Sequence, residues 1–173
     1  MRELRVVYRS SAATRGIRAG VLRSPHDAGR VLAQILGDET VEVFGVLLVD
    51  IRKRVLAWHE VARGSLDGIQ TNGRDVFKAA VLANAAAVVV AHSHPSGDPT
   101  PSPEDWAATS RLREAGELLG VEVLDHVIVG DRRYCSLRES TDASGGGASG
   151  ETRAVISELP VVAEEGPSSE CGR

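Results

Sequence analysis

The chain has 173 residues, enough for one ordinary domain and too few for two of comfortable size. Apolar residues make up 42% of it and only six residues are aromatic, so any core must be built from Val, Leu, Ile and Ala. The net charge of −4 excludes the strongly basic balance of a dedicated nucleic-acid binder.

The N-terminal stretch MRELRVVYRS lacks the apolar segment of a signal peptide. No apolar run approaches the roughly 20 residues of a membrane helix. The two cysteines, Cys135 and Cys171, form no disulfide framework. A cytoplasmic setting without a membrane partner is therefore expected. Residues 1–30 carry seven Arg against Glu3 and Asp27, a basic arm that leaves weak, non-specific contact with DNA phosphates open.

Residues 4–8, LRVVY, read as a first strand. Ser24 followed by Pro25 has the pattern of an N-cap with Pro at the first helical position, and the helix HDAGRVLAQILG ends at Gly37. Residues 41–49, VEVFGVLLV, and the stretch VLAWHEVARG from Val55 are two strands joined by the polar turn DIRKR, a hairpin pattern. Residues 74–84 have helical apolar spacing. AAAVVVA, from Ala85 to Ala91, is short, continuous and β-branched, as in a strand covered on both faces. A Pro/Gly-rich loop over 95–101 leads to a helix that starts at Ser102-Pro103 and runs to about Leu119. VEVLDHVIVG and RRYCSL are two further strands around Gly130-Asp131. Near Ser140 the composition shifts to STDASGGGASGE, a linker by composition, and the remainder is expected to be a disordered acidic tail. The expected organisation is a basic strand and helix over 1–39 packed on the domain, an α/β domain over 40–140, and linker plus tail over 141–173. An exposed strand edge in so small a sheet would favour pairing as a homodimer.

The segment AHSHPSGDPTPSPED, residues 91–105, carries the chemistry. A buried strand ends in His92-Ser93-His94, and the period of two in a strand puts both imidazoles on one face. The proline-stiffened loop then delivers Ser102 and Asp105 at a helix N-terminus. Two imidazole nitrogens and one carboxylate oxygen make a three-ligand set. Zinc favours four-coordinate N/O/S sites, and catalytic ones leave the fourth place to water. With no fourth soft ligand nearby, the spacing points to an open, hydrolytic site holding one Zn2+ per chain. Ser-x-x-Asp with Pro at N1 is equally the pattern of a capping box, which by itself accounts for Ser102 and Asp105 without a metal. Asp98 is a weaker ligand candidate and reads as a turn residue. His26 and His59 read as surface residues, and Arg132-Arg133 as a solvated turn.

The spacing of His92, His94, Ser102 and Asp105 is similar to the JAMM (JAB/MPN) metalloprotease motif. The longer run HSHPSGDPTPSPED, with KAAVLANAAAVVVAHSHPSG before it and LLGVEVLDHVIVG and YCSL after, resembles the bacterial RadC-like branch over about residues 40–140. Ser93 stands where RadC-like proteins usually have Asn. Residues 1–40 are too short and Gly-poor for the helix-hairpin-helix region that RadC proteins often carry. The resemblance implies a JAB/MPN-like, cytidine-deaminase-like mixed β-sheet flanked by helices. It also implies a zinc hydrolase acting on a peptide, isopeptide or other amide bond of a peptide or protein substrate. His92, His94 and Asp105 would hold the metal, and Ser102 would help stabilise the oxyanion, a kind of contact worth about 3 kcal/mol. A glutamate on an upstream strand would be the general base. Glu42, separated by two residues from Gly45, fits that pattern, with Glu60 as its competitor. His126 recurs in the RadC-like pattern and is expected to have a hydrogen-bonded structural role. The H-x-E and P-C-x-x-C of zinc deaminases and the H-E-x-x-H of zincins are absent. The alternative from another class is a non-catalytic RadC-type module associated with DNA repair or recombination.

Overall fold

The structure is a computed structural model, and it describes residues 17, 20–64, 72–143 and 154–158. The first strand read at residues 4–8 lies outside the described residues, as does Cys171. In chain order the elements are α1 (Pro25–Leu36), β1 (Val43–Val49), β2 (Val55–Arg63), α2 (Gly73–Leu82), β3 (Ala87–Ser93), α3 (Pro103–Leu119), β4 (Glu122–Gly130), β5 (Arg133–Ser136), α4 (Leu137–Ala143) and β6 (Ile156–Glu158). The strands form one mixed sheet in the order β2-β1-β3-β4-β5-β6. The hairpin β1–β2 is antiparallel. Among the described residues β3–β4 is the one parallel pair, joined through α3.

The two faces of the sheet bury different helices. One face packs Ala28, Val31, Leu32, Ile35 and Leu36 of α1 against Leu47, Val89, Val127 and Tyr134. The other packs Val76, Phe77 and Ala80 of α2 and Leu112 of α3 against Phe44, Val46, Val88 and Val90. Every residue of β1 and of β3 is buried, which is why both read as nearly unbroken apolar runs. Burying each such Val or Leu is worth roughly 1.5–3 kcal/mol, so the two central strands dominate the core. Among the described residues no helix is long and apolar enough to cross a membrane.

Local signals set the helix starts. Ser24 and Asp27 form a reciprocal capping box at α1, and Ser102 and Asp105 form another at α3, each followed by Pro. Gly120, at φ 68°, ends α3 in the left-handed conformation that glycine adopts without cost. Gly45 answers a packing demand: a Cβ there would lie 2.5 Å from the His59 carbonyl oxygen and 2.5 Å from the Trp58 ring.

Two features depart from the sequence reading beyond Tyr134. The residues from Leu137 form α4, where a strand end and the start of a linker are expected from composition. The Ser136 hydroxyl accepts from the Glu139 N–H at 3.0 Å and Asp125 Oδ1 accepts from the Arg138 N–H at 3.1 Å, so side chains satisfy the first turn. Within the stretch expected to be a tail, Ile156–Glu158 pairs antiparallel with β5, and the Val155 N–H donates to the Ser140 hydroxyl at 2.9 Å. Residues 144–153 and 159–173 lie outside the described residues.

Candidate metal centre

The parallel pair and its crossover helix build the site. β3 runs out of the core through His92 and Ser93. The His94 N–H then donates to the Val129 carbonyl at 2.8 Å, which keeps the chain against β4. The loop that follows is held in several places. The Gly97 N–H donates to the His94 carbonyl at 2.9 Å, and Gly97 turns at φ 80°. Arg133 donates from Nη2 to the Gly97 carbonyl at 3.1 Å, so a residue read as a solvated turn clamps the loop onto β5. The Asp98 carboxylate accepts from the Thr100 N–H at 3.1 Å and from its hydroxyl at 2.7 Å; it serves the turn and is not in the ligand cluster.

His92, His94 and Asp105 each offer a ligand atom, and these atoms lie within 4.8 Å of one another. His92 Nε2 is 2.9 Å from His94 Nε2 and 3.3 Å from Asp105 Oδ1. His94 Nδ1 lies 2.7 Å from the Asp98 carbonyl oxygen, which can only accept. The ring proton therefore sits on Nδ1, and in the neutral ring Nε2 presents a lone pair to the cluster.

Asp105 divides its two oxygens. Oδ2 accepts from the Ser102 N–H at 2.8 Å and from the Ser102 hydroxyl at 2.7 Å, while Oδ1 is the oxygen close to His92. Oδ2 is also 3.9 Å from His94 Nε2, so both oxygens face the histidines, and Oδ1, which Ser102 does not use, leaves a lone pair for ligation while the cap stays closed. Two imidazole nitrogens and a carboxylate oxygen form the donor set that suits a divalent transition ion. The three residues fit such an ion on chemistry as well as on spacing.

Glu42 lies at the mouth of β1, half-buried. Burial pushes its carboxyl above the ordinary range; His94 pulls it back and Asp105 pushes it further up. Ser93, between the two histidines, fixes the backbone on both sides of Glu42. Its hydroxyl accepts from the Val43 N–H at 3.0 Å and donates to the Val41 carbonyl at 3.2 Å. Glu60 is differently placed. It is exposed and accepts from Arg63 Nε at 3.0 Å and Nη2 at 2.9 Å, bonds that hold its carboxyl low. His59 is half-buried rather than at the surface, and His26 is exposed with Nδ1 3.3 Å from the Tyr134 hydroxyl; neither is in the cluster.

Beneath the cluster lies a pair that sequence reasoning does not connect. His126, fully buried on β4, places Nε2 2.9 Å from His92 Nδ1. Its Nδ1 is 2.6 Å from the Thr109 hydroxyl of α3, which is also 2.6 Å from the Asp105 carbonyl. Thr109 carries no motif signal; its only mark in the sequence is that it follows Asp105 by four residues, one helical turn on the same face.

Burial lowers the His92 imidazole to about 4, with Asp105 opposing and His94 reinforcing, and burial likewise carries His126 well down. Both rings are depressed below the value near 6.5 of an unfolded chain. Between those values the unfolded chain binds more protons than the folded one, so folding stability falls as pH falls. We expect the His92 and His126 contribution to the stability of the metal-free protein to be fully present above about pH 6.5 and to be lost progressively as pH falls below it. Urea melts of chelator-treated protein across that range check this; a flat profile would show that these rings are not held neutral.

The chain is similar in sequence to known proteins. The model of the RadC-like JAB domain matches residues 22–142, a span that takes in α1 as well as the sheet. UPF0758 protein SH1266 of Staphylococcus haemolyticus is 45% identical over 118 residues, 68% of this chain and 52% of its own length. A UPF0758 protein of Xanthomonas oryzae pv. oryzae is 44% identical over 122 residues, 70% of this chain and 54% of its own. UPF0758 protein Tgr7_0100 of Thioalkalivibrio sulfidiphilus is 48% identical over 114 residues, 66% of this chain and 51% of its own. The chain thus spans about half the length of these relatives. Its six-stranded mixed sheet flanked by four helices is of JAB/MPN type, and with the match covering most of the chain, the protein belongs to the RadC-like JAB domain family.

Proposed function

We propose that the domain is a metal-dependent hydrolase, with one zinc ion per chain and an amide bond of a peptide or protein as its target. The observation that carries this reading is the meeting of His92 Nε2, His94 Nε2 and the Asp105 carboxylate at the carboxyl end of β3. An ion held there supplies Lewis acidity, which polarises a carbonyl and lowers the pKa of water toward about 7. Glu42, its carboxyl raised by burial and under the influence of His94 and Asp105, takes the proton of the attacking water and returns it to the leaving amine. Ser102 directs its hydroxyl proton to Asp105 Oδ2, which holds the carboxylate in its ligating pose. Redirected to the developing oxyanion, the same proton would stabilise the tetrahedral intermediate.

The test is the metal content of the purified chain by mass spectrometry, beside His92→Ala and His94→Ala. About one zinc per chain is expected, lost in both variants. A wild-type chain that takes up no metal after reconstitution would defeat the proposal. Ser102 and Asp105 would then stand as a helix cap, and a non-catalytic binding module would be the better reading.

A further inference from the structure

We propose that Thr109 and His126 are positioning residues: together they fix the ring proton of His92 on Nδ1 and so turn its Nε2 lone pair toward His94 and Asp105. In a dry place every proton must have a partner. His92 is 1% exposed, Thr109 2% and His126 0%, so their polar atoms are matched by one another. Phe44 closes the apolar side, stacked on His92 at 6.0 Å and edge-on to His126 at 6.0 Å.

The chain of bonds has one consistent direction. The Thr109 hydroxyl carries a single proton and lies 2.6 Å from the Asp105 carbonyl, which can only accept. That proton goes to Asp105, so the Thr109 oxygen must accept from its other neighbour, His126 Nδ1, at 2.6 Å. A fully buried imidazole with no carboxylate partner among the described residues stays neutral, and a neutral ring has one donor and one acceptor. His126 therefore donates from Nδ1 and accepts at Nε2. The atom facing that acceptor, at 2.9 Å, is His92 Nδ1, which must carry the proton. His92 Nε2 is left with its lone pair, 2.9 Å from His94 Nε2, which presents a lone pair of its own when that ring is neutral. Two lone pairs at that distance repel, and a cation between them satisfies both. If His126 held its proton on Nε2 instead, the single Thr109 proton would have to serve two acceptors at 2.6 Å. One of those contacts would become a bare meeting of lone pairs.

Thr109 thus gives the backbone of the first turn of α3 a second task. The Asp105 carbonyl sets the proton order in the ring that shares a metal with the Asp105 carboxylate. Outer partners of ligating histidines commonly fix tautomer and ring angle, and their loss costs about 10–100-fold in metal affinity.

The test has two arms. In metal-free wild-type protein, long-range 1H–15N NMR of the ring nitrogens is expected to show the proton on Nδ1 of both His92 and His126. In zinc titrations against a competing chelator, Thr109→Val, similar in shape but without the hydroxyl, is expected to raise the Kd about 10–100-fold, while Thr109→Ser restores binding close to wild type. A proton on Nε2 of His126 in the wild type, or wild-type affinity in Thr109→Val, overturns the proposal. The inference rests on the metal-site reading, but the two fail separately. A wild-type chain that binds no zinc defeats the hydrolase, while the ring-nitrogen spectrum of the metal-free chain still decides the proton order.

Discussion

Replacing Asp105 by Ala is expected to empty the metal site and weaken the start of α3 together, because one carboxylate serves both. Oδ2 closes the capping box with Ser102, at 2.8 Å from its N–H and 2.7 Å from its hydroxyl, and Oδ1 faces His92 Nε2 at 3.3 Å. Asp105 is the N3 member of the box, and losing its bonds to Ser102 costs about 1 kcal/mol. Asp105→Asn separates the two roles. Its single oxygen can still accept from Ser102, but an amide nitrogen then stands where Oδ1 was, and it has no lone pair to give. Both variants should fall from about one metal per chain to nearly none. In metal-free melts, only the alanine variant should lose the additional ~1 kcal/mol. Full metal occupancy in the alanine variant would show that the third ligand comes from elsewhere.

Glu42→Gln should leave the metal in place and remove turnover. A positioned general base contributes about 10²–10⁴-fold, and a fall of that size in kcat is expected on any peptide or isopeptide amide that the wild type cleaves. Glu60→Gln is the control. Its carboxylate is exposed and committed to Arg63, so turnover should be unchanged. Loss of activity in the Glu60 variant with activity kept in the Glu42 variant would reverse the assignment. The rate should also carry the mark of the base. Burial raises the Glu42 carboxyl in the metal-free chain, and activity should fall on the acid side, where the group is protonated and cannot accept.

The three candidate ligands are legible in the amino-acid sequence because their signals are local. Strand period puts His92 and His94 on one face, and the capping pattern Ser102-Pro103-x-Asp105 fixes where α3 starts. In the sequence that capping pattern competes with metal binding. The geometry removes the rivalry, since a carboxylate has two oxygens and the sequence carries no information on which one faces where. The strands β1 to β4 and helices α1 to α3 are legible for the same reason, with ends displaced by one or two residues. α4 is hidden by the linker-like composition after Ser140, although Ser136 and Glu139 stand at capping-box spacing. β6 is hidden because three residues, Ile156–Glu158, give no periodicity to read; their pairing depends on the free edge of β5. Thr109 is invisible as a functional residue because its partner His126 is 17 residues away and on another element.

The parallel pair β3–β4 with α3 between them has a consequence for assembly. His92, His94, Asp105, Thr109 and His126 all lie within one strand–helix–strand segment, whereas Glu42 arrives from the start of β1, 50 residues before His92 in the chain. Contacts within the segment close short loops, while docking of the β1–β2 hairpin must close a long one, a slower event with a larger entropic cost. β1 is wholly buried between β2 and β3, and its Phe44 lies against His92 and His126, so the hairpin cannot leave without opening the core around the cluster. The site is therefore completed late in folding and lost with the core. Heating should silence activity and release a bound ion in one transition, so that ion retention would report native structure.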